Sequence, residues 1–187
     1  MNDDENVIHV SPSGTLGWQG RRYRAALGKG GVRVDKHEGD GATPAGCFPL
    51  RRVYYRADRI ARPVTGLDTV VIRPSDGWCN IPEHADYNRK VQLPHAGRGQ
   101  VESLWLEEDH GRVYDIVVEI GYNDDPPIPG LGSAIFMHIA PKNFGPTEGC
   151  IGLSKDELLE VLHTASSGTL ICIHPVEPFD HRRQGRA

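Results

Sequence analysis

A chain of 187 residues is long enough to bury one domain core without staples, and its 21 basic against 25 acidic side chains leave a net charge of −4. With no basic block in that balance, nucleic acid is excluded as the main partner, and no apolar stretch has the length of a membrane span. The four cysteines, Cys47, Cys79, Cys150 and Cys172, show no CxxC and no regular spacing, which argues against a disulfide framework while leaving a single bridge open. The start, MNDDENVIHV, is acidic and has neither the basic flank nor the apolar run of a signal peptide, so no export signal is legible.

In chain order, Val7 to Val10 is a short apolar run, Ser11-Pro12-Ser13-Gly14 a turn, and Thr15 to Trp18 a returning strand; Gln19-Gly20 then turns into Arg21 to Leu27. This pattern predicts a meander of β-hairpins. Gly28-Lys29-Gly30-Gly31 interrupts it. No Gly-Lys-Ser/Thr and no helix start follow, so the glycines read as a mobile loop instead of a phosphate cradle. Arg33 to Asp40 is charged, a solvated loop. Pro44 biases Thr43 toward extended backbone, and Phe48 to Tyr55 reads as a strand. Val70-Val71-Ile72 reads as a short buried strand.

The run from Pro74 to Arg89 is long and irregular, with Trp78 and Tyr87 arguing against disorder; it reads as a lid or wall. Cys79 and His84 within it lack the second pair of ligands that a structural zinc site needs, so no metal is expected. Val101 to Leu106 fits one turn of helix or a strand. Tyr114 to Ile120 is dense in β-branched residues and is the clearest strand. Gly121 to Pro127 ends it in a loop, and Leu170 to Ile173 supplies a last strand. These elements predict a mainly β domain over residues 1–176, a sandwich or part-closed barrel with one main helix, and a polar tail over 177–187.

Everything else leads to Gly132–Ser154, GSAIFMHIAPKNFGPTEGCIGLS. Ala134 to Ile139 reads as a strand carrying His138. A loop rich in Pro and Gly follows, then Cys150 between Gly149 and Ile151. Ser154 and Glu157 form a capping box, and Leu158, Leu159, Val161 and Leu162 give the ensuing helix an apolar face. A thiol needs a neighbouring base to become a nucleophile near neutral pH, and an imidazole is the usual one. Glycine before the cysteine lets its own N–H and that of Cys150 face a developing oxyanion. His163 and His174 lack such a partner and read as structural. Cys47 and Cys172 sit in strand-like runs and read as buried, inert thiols.

Thr147-Glu148-Gly149-Cys150-Ile151-Gly152, preceded by His138, resembles the Ser/Thr-His-Gly-Cys signature of the L,D-transpeptidases, the YkuD-type cysteine enzymes of peptidoglycan cross-linking. Gly41-Ala42-Thr43-Pro44-Ala45-Gly46-Cys47-Phe48 resembles the family's Thr-Pro-x-Gly-x-Phe strand entry. Glu148 stands where the family usually has His, and Gly152 where it usually has Arg or Asn. The resemblance implies a YkuD-like fold in which Cys150 attacks a stem peptide, His138 acts as base, Gly149 contributes to the oxyanion site, and a carbonyl at Ile139 or Ala140 orients the imidazole. Substrate contact is expected, apart from the resemblance, from Glu148, Thr147, Tyr122, Asn123, Trp78, Tyr87 and Arg89, with Trp78 and Tyr87 equally readable as packing their loop onto the barrel or sandwich. The product is a 3,3 or a 1,3-type cross-link; water as acceptor would make an amidase or L,D-carboxypeptidase, and loss of chemistry a wall-binding module. Peptidoglycan stems as partners, acylation by carbapenems, no cofactor, a monomer, and a periplasmic or cell-envelope location complete what it implies. Glu148 is expected to face the acceptor amine or, failing that, to pair with Arg33 or Arg89.

Overall fold

A computed structural model describes residues 6–94, 101–106 and 111–178. Their regular elements are β1 (Val7–Val10), β2 (Thr15–Trp18), β3 (Arg21–Arg24), β4 (Val32–Arg33), β5 (Thr43–Pro44), β6 (Gly46–Tyr55), β7 (Asp68–Val71), β8 (Asp76–Trp78), β9 (Lys90–Gln92), β10 (Glu102–Ser103), β11 (Ile116–Ile120), β12 (Phe136–Ile139), β13 (Ile151–Leu153), α1 (Lys155–Thr164) and β14 (Leu170–Ile173). The fold is mainly β with one α-helix among the described residues, as the sequence predicts. That helix, too short to cross a membrane, begins where the capping box places it: the Ser154 hydroxyl accepts from the Glu157 N–H and donates to the Glu157 carboxylate.

The main sheet runs β13-β12-β11-β6-β14-β1-β2-β3, with β7 added to β6. Strand β6 is ten residues long and serves as the spine: its first half pairs with β14, its second half with β11 on one edge and β7 on the other. The two ends of the sheet then meet. Beyond β3, Ala26 pairs with Gly152 of β13 through N–H···O bonds of 2.8 and 2.9 Å in the two directions, closing the sheet into a barrel at one bridge. Ile8, Leu16, Val53, Val118, Met137, Ile151 and Leu153 fill the interior together with Leu158, Val161 and Leu162 of α1. A second, smaller cluster of Tyr54, Trp78, Leu104, Tyr114, Val117, Phe136 and Cys150 lies under a three-stranded sheet ordered β10-β8-β9.

Four expectations change. Val70–Ile72 is not a buried strand: β7 sits on an edge with β6 as its neighbour and Val71 is 41 % exposed. The predicted lid carries β8 and runs into β9, and the ambiguous stretch at 101–106 contributes β10. The strand expected from Ala134 starts at Phe136, because Ala134 is left-handed at φ 54°. Finally, Cys47 and Cys172 are not inert thiols. They face each other in the β6–β14 ladder and form a disulfide, with Cys47 at the surface. Residues of the polar tail beyond 178 lie outside the described part, as does much of the stretch between Leu93 and Gly111.

A bridge spanning 125 residues of chain removes much loop entropy from the unfolded state. Reduction, or the double variant Cys47→Ser/Cys172→Ser, should lower unfolding free energy by about 2–5 kcal/mol. Urea unfolding with and without reductant checks this; equal midpoints would leave the bridge without a stabilising role.

Candidate active site

Strand alternation separates the chemistry from the core. Along β12, Met137 points into the barrel, so Phe136 and His138 point to the other side, under the β8–β10 sheet. Strand β13 runs parallel beside β12, with Ile151 opposite Met137 and Gly152 opposite His138. Cys150 ends the loop just before β13 and therefore falls beside Phe136, two residue pairs from the level of His138 and on the same side. The ring of Tyr114 spans the gap: it meets Phe136 edge-on at 6.2 Å and His138 at 5.3 Å, and shares the cluster with Cys150.

Both reactive groups are held by backbone. The Cys150 thiol donates to the Ala134 carbonyl at 3.3 Å, and its sulfur accepts from the Phe136 N–H at 3.4 Å. Nδ1 of His138 lies 2.8 Å from the Ile139 carbonyl. A carbonyl only accepts, so the proton resides on Nδ1 and Nε2 keeps its lone pair. Burial lowers the imidazole pKa to about 4, against the partial support of that hydrogen bond. Burial also pushes the thiol up to about 12, and the charge of Glu102 adds to the effect. At rest the pair is neutral.

The turn that carries the cysteine is tied internally. The Thr147 hydroxyl donates to the Cys150 carbonyl at 2.6 Å and accepts from the Gly149 N–H at 3.2 Å. The Gly149 N–H, expected at the oxyanion, is thus turned to Thr147 in this structure. Gly149 has φ 132°, and a Cβ there would stand 2.7 Å from the Ala42 carbonyl. Residues 26–31, of which Gly28 to Gly31 were expected to be a mobile loop, form a strap across this turn. Thr147 N–H donates to Leu27, Lys29 N–H donates to Thr147, and the Gly28 N–H donates to the Thr43 hydroxyl. A Cβ on Gly28 would meet the Gly41 carbonyl at 2.3 Å and Gly149 Cα at 2.9 Å. At Gly152 a side chain would meet Ala140 and Ala26, which explains why no guanidinium arises from this position. Glu148 pairs with Lys29 at 2.8 Å, with Arg33 and Arg89 uninvolved.

The segment from residue 5 to residue 177 matches the model of the L,D-transpeptidase catalytic domain, YkuD. The chain belongs to the YkuD family. Among solved structures it is similar to an L,D-transpeptidase from Mycobacterium smegmatis (17 % identity, TM-score 0.46, covering 91 % of this chain and 58 % of that one). It is also similar to L,D-transpeptidase 1 of Mycobacterium tuberculosis (14 %, 0.41, 91 % and 60 %) and to L,D-transpeptidase 3 of that organism in complex with a faropenem-derived adduct (14 %, 0.43, 90 % and 59 %). The chain thus spans somewhat under two thirds of each of these proteins. Comparison with curated proteins returns no match.

Within this YkuD domain, the other residues read from sequence occupy varied places. Trp78 is buried, meets Phe136 edge-on at 5.0 Å and donates from Nε1 to Asn88 at 2.9 Å. The Tyr87 hydroxyl donates to Glu38 at 2.5 Å and accepts from the Gly132 N–H at 3.0 Å. Asn123, left-handed at φ 49°, bonds Ile128 and Gly132 and shapes its own loop. Tyr122 meets Phe48 edge-on and donates to the Leu131 carbonyl. Arg89 and Glu148 are exposed. Sequence reading missed Asn88. Its amide accepts from Trp78 Nε1 and the Ala134 N–H and donates to the carbonyls of Tyr122 and Asn123, so the lid, the 121–134 loop and the thiol's acceptor peptide are joined through one side chain. Asn88 sits at φ 55°, a left-handed region that Asn tolerates, and nothing in its sequence neighbourhood marks the role. Lys36, Glu38, Glu102 and Tyr114 were missed as well. They come from distant segments and carry no motif.

Two measurements test the neutral resting pair. Iodoacetamide should label Cys150 far more slowly than an ordinary thiol at about pH 8, with the rate still climbing above about pH 10; a midpoint near 8.5 would contradict the buried neutral thiol. For His138, the folded pKa lies below the ordinary 6.5. Between about 6.5 and about 4 the unfolded chain takes up a proton that the folded one refuses, so stability falls as pH drops through that window. His138→Gln should lose part of that slope in pH-dependent unfolding.

Proposed function

We propose that this domain is a cysteine-dependent peptidoglycan L,D-transpeptidase. The observation that carries the reading is Cys150 and the Nδ1-protonated His138 on the same side of two adjacent parallel strands, within a YkuD catalytic domain. Cys150 Sγ attacks the carbonyl carbon of a stem-peptide amide while Nε2 of His138 takes its proton; the amide C–N bond breaks, the leaving amine receives that proton, and a thioester remains. With the Gly149 N–H given to Thr147, the Cys150 N–H is the oxyanion donor on the turn. An amine of a neighbouring stem then attacks the thioester and makes the cross-link. The acceptor is the diaminopimelate side chain for a 3,3 link or an α-amine, such as that of L-Ala, for a 1,3 link. No cofactor enters these steps.

The disulfide supports a location outside the cytoplasm, in the periplasm or cell envelope, since such bridges persist in oxidising compartments. Water in place of the amine would give an L,D-carboxypeptidase or amidase. A wall-binding role is the weaker reading, because a binder has no use for a thiol and an imidazole on the same side of two adjacent strands.

Cys150→Ala should abolish muropeptide conversion and keep the fold. Intact-mass analysis should put a carbapenem adduct on Cys150; an adduct on Cys79, the other free thiol, would refute the assignment. His138→Gln should cost about a hundredfold or more in acylation rate, as loss of a general base does. Mass spectrometry of muropeptides carrying either a free α-amine or only the side-chain amine identifies the linkage.

A further inference from the structure

Glu148, the carboxylate that the motif put forward, is 76 % exposed in its side chain and engaged by Lys29. Another carboxylate, Glu102, is joined to the Cys150 cluster through Tyr114. Glu102 lies on β10, opposite Trp78 of β8, and accepts a hydrogen bond from the hydroxyl of Tyr114, whose ring meets that of His138 edge-on and shares a cluster with Cys150. Its position is fixed from the frame. The Leu104 N–H donates to the Asp76 carbonyl at 3.0 Å, while Arg56 stacks on Trp105 at 3.3 Å and donates to the Leu106 carbonyl at 2.9 Å.

The neighbouring charged groups have more partners than Glu102. Lys36 is paired with Asp40 at 2.7 Å, and Glu38 accepts from Tyr87 and Ser133. Among the described residues Glu102 has no cationic partner, only one neutral hydroxyl for a group with about four lone-pair sites. Its carboxyl titrates above the usual range because burial disfavours its charge, with Glu38 adding to this and Tyr114 opposing it. A carboxylate here also works against the thiolate that acylation needs. Such a placement is unfavourable for the first half-reaction and favourable for one that brings a cation.

Resting on the transpeptidase reading, we propose that Glu102 is a specificity-determining residue for the second half-reaction: it receives the ammonium of the acceptor stem beside the Cys150 thioester and takes one proton from it. The ammonium becomes a free amine as Glu102 becomes a carboxylic acid. The amine attacks the thioester carbon, an amide C–N bond forms and the C–S bond breaks. The second proton passes through His138 Nε2 to the departing sulfur, and Glu102 returns its proton to solvent. Water lacks the positive charge that this carboxylate recognises, so the residue favours transfer over hydrolysis.

The test separates acylation from partition, using purified disaccharide-tetrapeptide as both donor and acceptor. For Glu102→Gln, the ratio of cross-linked dimer to hydrolysed tripeptide should fall about tenfold or more, as expected for losing a charge-assisted contact. Iodoacetamide labelling of Cys150 at about pH 8 should become faster, because the opposing charge is gone. An unchanged ratio, or slower labelling with dimer and tripeptide falling together, would overturn the proposal. Tyr114→Phe keeps the ring and removes the donor that lowers the Glu102 pKa; among the described residues, the titratable groups then left acting on the carboxyl are Cys150 and Glu38. The acid limb of dimer formation should then move to higher pH, and an unmoved limb counts against Glu102. A parent protein making tripeptide and no dimer overturns the acceptor role alone. One that forms neither product nor a carbapenem adduct overturns the transpeptidase reading itself.

Discussion

Three stretches of backbone meet at Gly149 with almost nothing between them, and the arrangement of the site depends on that approach. Gly28 of the strap, Gly41 with Ala42 ahead of β5, and Gly149 of the cysteine turn come so close that a Cβ on either Gly28 or Gly149 would lie within 2.9 Å of a neighbouring backbone atom. The same strap supplies Ala26, whose pairing with Gly152 closes the barrel. Barrel closure and the seating of Cys150 are therefore one contact. A bulky residue in any of the three stretches would lift the strap and release the turn, since interiors this dense have little room to relax.

The alternation of β12 divides the protein into a structural side and a chemical side. Met137 joins the barrel core and His138 the smaller cluster, so the imidazole is buried without entering the main core. What covers it is the small sheet of β8, β9 and β10, stitched down by hydrogen bonds more than by apolar mass. Asp76 holds Lys90, Gln92 and the Arg73 N–H; burial works against its charge, but these donors outweigh it and keep the carboxyl below its usual range. Asn88 fixes the far end to the N–H of Ala134, the residue whose carbonyl accepts from the Cys150 thiol. A perturbation in the cover thus reaches Cys150 through two hydrogen bonds.

Local signals were legible in the sequence and long-range ones were not. The limits of β1, β2 and β14, the capped start of α1, and the Gly149–Cys150 turn with His138 upstream all rest on periodicity, turn residues or spacing within some fifteen positions. The role of Gly28–Gly31 was hidden because glycine looks the same to a reader whether it confers mobility or permits contact. Cys47 and Cys172 are 125 residues apart, and their opposition depends on β14 joining β6. Trp78 and Tyr87 stood out by size, yet their polar atoms are occupied by Asn88, Glu38 and Gly132. Tyr114 was read as the start of a strand. It belongs to a 3₁₀ turn ahead of β11, and that turn lets its ring reach His138.

The order of the two pKa values bears on how the proposed reaction would start. With the thiol near 12 and the imidazole near 4, proton transfer from sulfur to Nε2 is strongly uphill in the closed, unliganded site. A preformed thiolate–imidazolium pair, as in exposed cysteine sites, is not what this burial produces. The ion pair must gain stability as it forms, from the attraction of its own charges in a medium of low dielectric and from negative charge moving off sulfur onto the carbonyl oxygen. Proton transfer and attack are then coupled, with the Cys150 N–H aiding the oxygen. The Ile139 carbonyl is dipolar, not anionic, and so contributes less to the imidazolium than a carboxylate would. A carboxylate is nearby, yet it is bonded to Tyr114 and adds to the thiol's burden. On the acceptor proposal, the same charge that opposes the thiolate is the one that receives the amine.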